Sequence, residues 1–222
     1  MVGRGKSQAA PALRPDVRSK ILTHATRLFA AHGFDGTALQ DVADAVGVAK
    51  PSLLHHFPSK EALREAVLQQ MLAHWTELLP RILMAATAAE GRFEALTEAL
   101  VSFFLEDPDR ARLIVREALD RPKETRDTLT RQVRPWMAAV ASYIRKGQEH
   151  GEHFADVDAE AYVVCVMQLV ITAVASERTL GALVSEGKPA ETRSRIIREM
   201  LRIAKASLFV FSPSEPTPLL RS

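Results

Sequence analysis

Residues 37–63 carry the stretch of sequence that decides the fold, TALQDVADAVGVAKPSLLHHFPSKEAL. Apolar residues at helical spacing lie on both sides of Gly47, which predicts two short helices joined by a tight turn. Gly47 suits a turn conformation that a residue with a Cβ would resist, and the small Ala43 lets the two helices approach closely. The residues predicted to bury the inside of the corner are Val42, Val46, Val48 and Leu53. Such a corner is a helix-turn-helix, whose second helix can enter a major groove of DNA.

Further helices are predicted on both sides of the corner. The first begins after residue 16, carries a stripe of apolar residues on one face and ends at Gly33. The fourth runs to about Leu79, because Pro80 is expected to end it. The residues predicted to cap helices one, two and four are Asp16, Thr37 and Ser59.

The rest of the chain also shows helical spacing of apolar residues, interrupted at glycines and prolines. Helices are predicted at 81–89, 92–106, 108–119, 123–149, 157–185 and 189–211. The fold class predicted from the sequence is therefore all-α, with about nine helices.

Charge is distributed unevenly along the chain, although the net charge is only +2. Residues 1–60 carry eight Lys and Arg against four Asp, a net charge of +4, and the remainder carries 21 basic against 23 acidic side chains, a net charge of −2. A basic first quarter on a slightly acidic body indicates a head that binds a polyanion. A solvated basic tail would give the same charges, and the helix-turn-helix pattern favours the polyanion-binding interpretation.

Composition excludes several classes of protein. Hydrophobic residues make up 47% and charged residues 25% of the 222 residues, which is typical of a soluble globular protein. The single cysteine, Cys165, excludes an intramolecular disulfide framework and a multi-cysteine zinc site. No apolar stretch follows the basic first residues, so no signal peptide is expected, and the uncharged run at 161–176 is predicted to be a buried core helix. We therefore expect a cytoplasmic protein.

A longer pattern surrounds the corner between residues 14 and 66. It comprises Arg18-x2-Ile21-Leu22-x2-Ala25-x2-Leu28-Phe29-Ala30-x2-Gly33-Phe34, Gly36-Thr37, Asp41-Val42-Ala43, Ala45-Val46-Gly47-Val48, Lys50, Leu53 and His56-Phe57-x-Ser59-Lys60-Glu61-Ala62-Leu63. This pattern strongly resembles the DNA-binding domain of the tetracycline-repressor (TetR/AcrR) family of bacterial transcriptional regulators. The resemblance implies a homodimer that places two recognition helices in successive major grooves of a palindromic operator. It also implies a repressor that a small-molecule ligand releases from DNA.

The resemblance assigns the DNA contacts position by position. Gln40 and residues 50–52 match positions that face base edges, and other matched positions contact phosphates. The residues predicted to contact DNA are Thr37, Gln40, Lys50, Pro51, Ser52, Leu54, His55, His56 and Lys60. Lys50 is suited to donate to guanine, and Gln40 is suited to pair with adenine.

The chain departs from the family pattern around the recognition helix. Ala49 stands where Ser or another capping residue is usual, so this helix lacks the common N-cap. Leu54-His55 stands where an aromatic pair is usual, and Leu54 lacks a tyrosine hydroxyl that would contact phosphate. Leu54 is expected instead to touch a thymine methyl group or to pack. These departures affect individual contacts and the operator sequence rather than the fold.

Several basic residues of the head allow two interpretations. His55 and His56 lie about 100° apart on a helix, which disfavours a shared metal ion, and His56 is expected to contact phosphate or to pack at the helix end. Arg4, Lys6 and Arg14 form an arm that either reaches DNA or is a mobile solvated tail. No metal or other cofactor is predicted.

The family's organisation gives the expected domains. They are a flexible basic arm at 1–13, a helix-turn-helix DNA-binding domain of three helices at 14–60, a larger helical ligand-binding and dimerisation domain at 61–211, and a disordered tail at 212–222. The expected partners are double-stranded DNA, a second copy of the chain and an unidentified small-molecule effector, and no membrane.

A ligand pocket is predicted between the middle helices, where bulky apolar side chains accompany a few polar groups. The residues predicted to bind the ligand are Trp75, Phe103, Phe104, Trp136, Met137, Tyr143, Met167 and Gln168. Aromatic residues at helical spacing are also typical of an ordinary core, so packing without a pocket is the alternative.

The last two long helices are predicted to form the dimer interface, because two such helices and their symmetry mates would make a four-helix bundle. The predicted interface residues are Val163, Val166, Val170 and Val174 on the first helix and Ile196, Met200, Ile203 and Leu208 on the second. Packing inside one subunit is the alternative for both stripes.

Other features of the body indicate little chemistry. Cys165, on a helix expected to be buried, is interpreted as an inert apolar residue rather than a redox sensor. At His150 and His153, a solvated helix end is favoured over a divalent-metal site. No GxSxG, HExxH or phosphate-loop motif occurs, and Glu106-Asp107 is expected at solvated helix ends, so no enzyme is predicted. A regulator that activates or answers to a partner protein, and a structural dimer with a vestigial head, remain alternatives.

Overall fold

A computed structural model describes residues 16–85, 89–184 and 189–210. These residues form eleven α-helices and one short 3-10 turn, and none of them forms a β-strand. The helices are α1 (Val17–His32), α2 (Leu39–Val46), α3 (Lys50–His56), α4 (Lys60–Ala85), α5 (Ala89–Glu106), α6 (Pro108–Asp120), α7 (Pro122–Gln132), α8 (Arg134–Glu149), α9 (Ala159–Ala175), α10 (Glu177–Leu180) and α11 (Pro189–Leu208). The all-α prediction is confirmed, with eleven helices in place of about nine. The predicted arm at 1–13 and tail at 212–222 lie outside the described residues.

Helices α1 to α3 form the predicted head, and local sequence explains their ends. The Asp16 carboxylate accepts a hydrogen bond from the Ser19 N–H at 2.9 Å and caps α1, as predicted. Gly47 ends α2 in the left-handed region at φ 79°, and its N–H donates to the carbonyl of Ala43. Ser59 caps α4, because its hydroxyl oxygen accepts from the Ala62 N–H at 3.0 Å.

The start of α2 differs from the prediction. Ala38, and not Thr37, is the N-cap residue, and the Asp41 carboxylate accepts from the Ala38 N–H at 2.8 Å. The Thr37 hydroxyl donates instead to the carbonyls of Gly33, at 2.8 Å, and Leu28, at 3.2 Å. Thr37 therefore ties the turn between α1 and α2 to the end of α1.

Three predicted boundaries in the body are wrong. Pro80 does not end α4, which continues to Ala85; the missing N–H of Pro80 is tolerated because both Pro80 and Thr76, whose carbonyl loses its partner, are exposed to water. The predicted helix at 123–149 is two helices that meet at Val133. The predicted helix at 157–185 ends at Ala175 and is followed by α10 and the 3-10 turn Gly181–Leu183.

Head and body share one hydrophobic core. Buried residues of α1 to α4 belong to the same cluster as buried residues of α5, α6, α9 and α11, and α1 packs against α6. A second cluster joins α5, α8, α9 and α11 at the far end of the body. Helix α4 follows the head in the chain, and its buried residues belong to the core that head and body share.

Within the described residues, no single helix combines the length and apolarity that a membrane span requires. Helix α9 and the segment Glu177–Leu183 meet both criteria only as a pair that is bent by 68°.

Candidate DNA-binding site and ligand cavity

Helix α3 presents most of the side chains predicted to contact DNA. Leu53 is fully buried and anchors the helix on the core of the head, and Leu54 is half-buried. The exposed residues of this helix are Lys50, Pro51, Ser52, His55 and His56. Ala49 is its N-cap and makes no capping hydrogen bond through its side chain. The helix is therefore held from one side and open to solvent on the other.

Two further residues predicted to contact DNA, Thr37 and Gln40, precede α3 in the chain, and one is buried while the other is exposed. The Gln40 side chain is exposed on α2, and its amide donates to the Asp44 carboxylate at 2.7 Å, which fixes its position. Thr37 is only 2% exposed, and its hydroxyl is engaged with two carbonyls of the head. The structure therefore brings Gln40 to the surface with α3 and leaves the Thr37 side chain in the interior.

Lys60 lies where the head meets α6. Its ammonium group is 4.4 Å from the centre of the Phe34 ring and 3.4 Å from the carbonyl oxygen of Asp35. The Arg121 guanidinium, at the end of α6, is 4.2 Å from the centre of the same ring. The Phe34 ring thus makes cation–π contacts with Lys60 of the head and Arg121 of the body.

The histidine residues do not form a metal site in the described part of the chain. No group of three or more His, Cys, Asp and Glu side chains there could hold a metal ion. His55 and His56 have ring centres 5.7 Å apart and are both exposed. The prediction of a solvated helix end is wrong for His153, which is 1% exposed, because its Nδ1 is 2.9 Å from the Ile144 carbonyl oxygen and its ring packs against Tyr143 and Phe209.

The body encloses a cavity of about 200 Å³. Seven of the eight predicted ligand residues line it: Trp75, Phe103, Phe104, Trp136, Met137, Tyr143 and Met167. Gln168 does not line it, because this side of α9 is exposed on the outside of the body. The prediction for Gln168 is therefore corrected.

A few polar residues in the cavity wall were missed by sequence reasoning. They are Glu117, Thr97, Thr125, Thr128 and Tyr162. Burial raises the pKa of Tyr143 to about 12 and also raises the pKa of Tyr162, whose hydroxyl donates to the Ala204 carbonyl at 2.7 Å. Glu117 follows Leu113 by one helical turn, and an acidic residue on a buried stripe is a signal that the sequence did offer.

The predicted dimer stripes mostly face the inside of the protomer, which corrects that prediction. Val163 and Val166 line the cavity, as does Leu208. Val170, Val174 and Met200 are buried in the main core, and Ile196 is half-buried. Of the eight, only Ile203 is exposed, at 50%.

The opposite side of α9 is the exposed one. Val164 is 39% exposed and Leu169 is 44% exposed. Cys165, Gln168 and Thr172 are exposed beside them, so the expectation of a buried Cys165 is wrong. The 3.6-residue period explains the error, because α9 has apolar residues on both sides and the sequence does not tell which side packs inward.

These features define a class of protein: a regulator with a helix-turn-helix head and a helical body that contains an apolar cavity. Two family models match the chain. Residues 21–67 match the model for bacterial regulatory proteins of the tetR family, and residues 90–202 match a tetracyclin repressor-like C-terminal domain. Because the second match alone covers just over half of the chain, the protein belongs to the tetracycline-repressor family of transcriptional regulators.

Similar regulators are known by sequence. The chain is 48% identical to the HTH-type transcriptional regulator RutR of Escherichia coli strain K12 over 58 residues. This aligned region covers 26% of this chain and 27% of RutR. It is 33% identical to the transcriptional activator FasR of Mycolicibacterium smegmatis over 101 residues, and this aligned region covers 46% of each chain. The biofilm operon negative regulator IcaR of Staphylococcus aureus strain Newman is 27% identical over 130 residues, 59% of this chain and 68% of IcaR. The chain thus aligns with only about a quarter of the length of RutR and about half of FasR.

Solved structures share the fold over nearly the whole chain. The ketosteroid transcriptional regulator KstR2 of Mycobacterium tuberculosis has a TM-score of 0.71 at 19% identity, covering 89% of this chain and 97% of KstR2. The fatty acid degradation regulator FadR of Bacillus halodurans has a TM-score of 0.67 at 16% identity, covering 86% and 97%. A putative regulator of Saccharomonospora viridis, solved with choline, has a TM-score of 0.66 at 20% identity, covering 87% and 98%.

Proposed function

We propose that the protein is a homodimeric transcriptional repressor that binds a palindromic operator through α3 and leaves it when a small apolar molecule enters the body. One arrangement carries the proposal: α4 begins at Lys60, directly after α3 in the chain, and residues further along it line an apolar cavity. A single helix therefore connects a surface suited to DNA with a space suited to a ligand.

Lys50 and Ser52 stand exposed in the first turn of α3 and are our candidates for base contacts. Gln40, held by Asp44, is a third candidate on the adjacent helix. His55, His56 and Lys60 are the candidates for phosphate contacts, which position the protein without reading sequence. The buried Thr37 hydroxyl supports a different role for that residue, namely fixing the turn that precedes α2.

The exposed side of α9 is the best candidate for the dimer interface. Val164 and Leu169 are exposed on α9, and Ile203 is exposed on α11, which packs against α9. Contiguous exposed apolar surfaces on soluble proteins mark interaction sites. An interface here would be isologous, as a two-fold dimer requires. Leu169→Asp is expected to give a monomer in light scattering after gel filtration, whereas Leu119→Asp, at a residue 76% exposed on α6, is expected to leave a dimer.

The cavity supports an apolar effector, because its wall is formed almost wholly by aliphatic and aromatic side chains. Two solved structures of the same fold are described as a ketosteroid transcriptional regulator and a fatty acid degradation regulator. In our proposal the effector changes the position of α4 and with it the separation of the two heads of the dimer. A coupling free energy of about 1–3 kcal/mol, or 5- to 150-fold in operator affinity, is enough for release.

Two measurements test this function. Operator affinity, on a DNA duplex chosen by selection, is expected to fall in Lys50→Ala and to be unchanged in Lys123→Ala, a control at an exposed residue of α7. The second measurement compares operator affinity with and without a molecule shown to bind the body. A molecule that fills the cavity and leaves operator affinity unchanged contradicts the release mechanism.

A further inference from the structure

One charged residue stands in the wall of the apolar cavity. Glu117, on α6, is 3% exposed and lines the cavity among residues that are mainly aliphatic and aromatic. Its backbone carbonyl is already engaged, because it accepts from the Arg121 N–H at 3.0 Å and from the Thr125 hydroxyl at 2.9 Å. The carbonyl is therefore fully used, and the side-chain carboxylate is the part of Glu117 whose bonding remains to be described.

The partner of this carboxylate is Arg64, on the second turn of α4. Its Nε donates to Glu117 Oε2 at 2.7 Å, and its Nη2 donates to the same oxygen. Neither nitrogen bonds Oε1, and no residue of the described ranges donates a hydrogen bond to that atom. The ion pair is thus one-sided and leaves one carboxylate oxygen as an unused acceptor.

The unused oxygen keeps contact with open space. Across the described residues, the one side-chain polar atom that is both fully inaccessible and without a partner is His153 Nε2, so Glu117 Oε1 is not sealed in protein. Glu117 is only 3% exposed overall and is one of the residues that line the cavity. A negatively charged residue with an unpaired carboxylate oxygen therefore stands in the wall of a mainly apolar cavity.

We propose that the effector is an apolar molecule that carries a hydrogen-bond donor, a hydroxyl or an amino group, and that this donor binds Glu117 Oε1. The proposal rests on the function proposed above and names the chemical class of its ligand. A donor satisfies the free carboxylate oxygen, whereas an ionised carboxylate on the ligand would meet a like charge among mainly apolar side chains. Fatty acids and other amphipathic anions are therefore disfavoured as effectors.

The same bond links the ligand to the head. Arg64 lies four residues after Lys60, the first residue of α4, and Arg121, four residues after Glu117, stacks on Phe34 of the head. A donor that draws the carboxylate toward the cavity weakens its bond to Arg64, and with it one contact between α4 and α6. Donor-bearing ligands are thus expected both to bind and to lower operator affinity.

The test compares three probes with the same chain length: decanol, decylamine and decanoate. The two tryptophans of the chain, Trp75 and Trp136, both line the cavity, so their emission reports its occupancy in the full-length protein. We expect decanol and decylamine to bind at least ~10-fold more tightly than decanoate at neutral pH, the effect of one hydrogen bond to a charged group. Each probe is also tested for release of selected operator DNA.

Two variants identify the residue responsible. Glu117→Gln removes the charge and keeps the shape, and we expect the preference against decanoate to fall to less than about threefold. Tyr162→Phe, the matched control, removes a polar group elsewhere in the same wall and is expected to keep the wild-type preference. If Glu117→Gln does not fold, the comparison of the three probes on the wild-type protein still tests whether the effector carries a hydrogen-bond donor.

The outcomes separate this proposal from the proposed function. Decanoate that binds as tightly as decanol and releases DNA overturns the donor class and supports an apolar effector. A preference that survives unchanged in folded Glu117→Gln assigns the selectivity to another residue and overturns the role of Glu117. If no probe changes the tryptophan emission or the operator affinity, both the donor class and an effector in this cavity are contradicted.

Discussion

The head and the body of this protein differ in the range over which their sequence determines structure. In the head, a cap such as Asp16 and a turn such as Gly47 act on residues within four positions of them. In the body, Arg64 pairs with Glu117 and the Tyr162 hydroxyl bonds Ala204, across 53 and 42 positions. Local chemistry therefore specifies the surface that meets DNA, whereas long-range packing shapes the cavity.

The largest effect on the free energy of unfolding is expected at the ion pair between Arg64 of α4 and Glu117 of α6, where head and body meet. Arg64→Ala leaves the Glu117 carboxylate, whose side chain is 4% exposed, without its cation, which is expected to cost about 3–5 kcal/mol of unfolding free energy. The control is Arg202→Ala, which breaks an ion pair with Glu199 that is exposed on both sides and is expected to cost less than about 1 kcal/mol. Urea unfolding of both variants measures the difference. Equal losses would show that the pair at the boundary contributes no more than a surface pair.

A glycine of the body tests packing over distance. A Cβ at Gly147 of α8 would overlap the imidazole of His153, so Gly147→Ala is expected to destabilise the protein by about 1–3 kcal/mol. In a His153→Ala background the imidazole is absent, and the same substitution is expected to lose most of its cost. The coupling free energy from the four unfolding curves is the measurement. Additive effects would contradict the steric explanation.

A glycine of the head tests local conformation alone. Nothing lies within 4 Å of a Cβ added at Gly47, but its φ of 79° disfavours any side chain, so Gly47→Ala is expected to cost about 1–2 kcal/mol. Gly91 of α5 is equally open and helical, so Gly91→Ala is expected to stabilise by about 0.5–1 kcal/mol. The two alanine variants should thus shift the thermal midpoint in opposite directions. A shift of the same sign in both would show that φ is not the cause at Gly47.

The smallest expected effect is a shift in the pH at which the two tyrosines ionise, both of which line the cavity. Burial raises the pKa of Tyr143 from 10.0 to about 12 and raises the pKa of Tyr162, so both phenols stay protonated in the folded protein where an unfolded chain would ionise. This contribution to stability is complete below pH 10 and is lost as the pH rises through the folded pKa values. Phenolate absorbance of the native protein should therefore increase only above about pH 11. An increase centred at pH 10 with the fold intact would contradict the burial of both rings.

The sequence predicts the head well for physical reasons that its residues make plain. Asp16, Gly33, Gly47 and Ser59 end or begin helices through bonds to residues at most four positions away, so the pattern contains both partners. Thr37 is the exception. Its hydroxyl bonds the carbonyl of Leu28, nine residues earlier, and the cap of α2 is supplied by Asp41.

The body is predicted in part. Bulky residues at helical spacing identified seven cavity residues, because an apolar cavity needs such side chains. The direction of α9 was not predictable, since Val163 and Val164 have the same chemistry and only the packing of neighbouring helices decides which one is buried. The break at the buried Val133 likewise depends on tertiary packing that overrides local preference. Helix α4 continues through Pro80 because the backbone group that Pro80 leaves unpaired is exposed to water.

We propose that this chain is a dimeric regulator that reads a specific DNA sequence through α3. The most direct test is a selection of the purified protein against randomised duplex DNA, followed by titration of the enriched pool at two salt concentrations. We expect an enriched motif with two-fold symmetry that is bound less tightly at the higher salt concentration, and we expect Lys50→Ala to lose this binding. Binding with no enriched motif, weak and equal for all sequences, would contradict it.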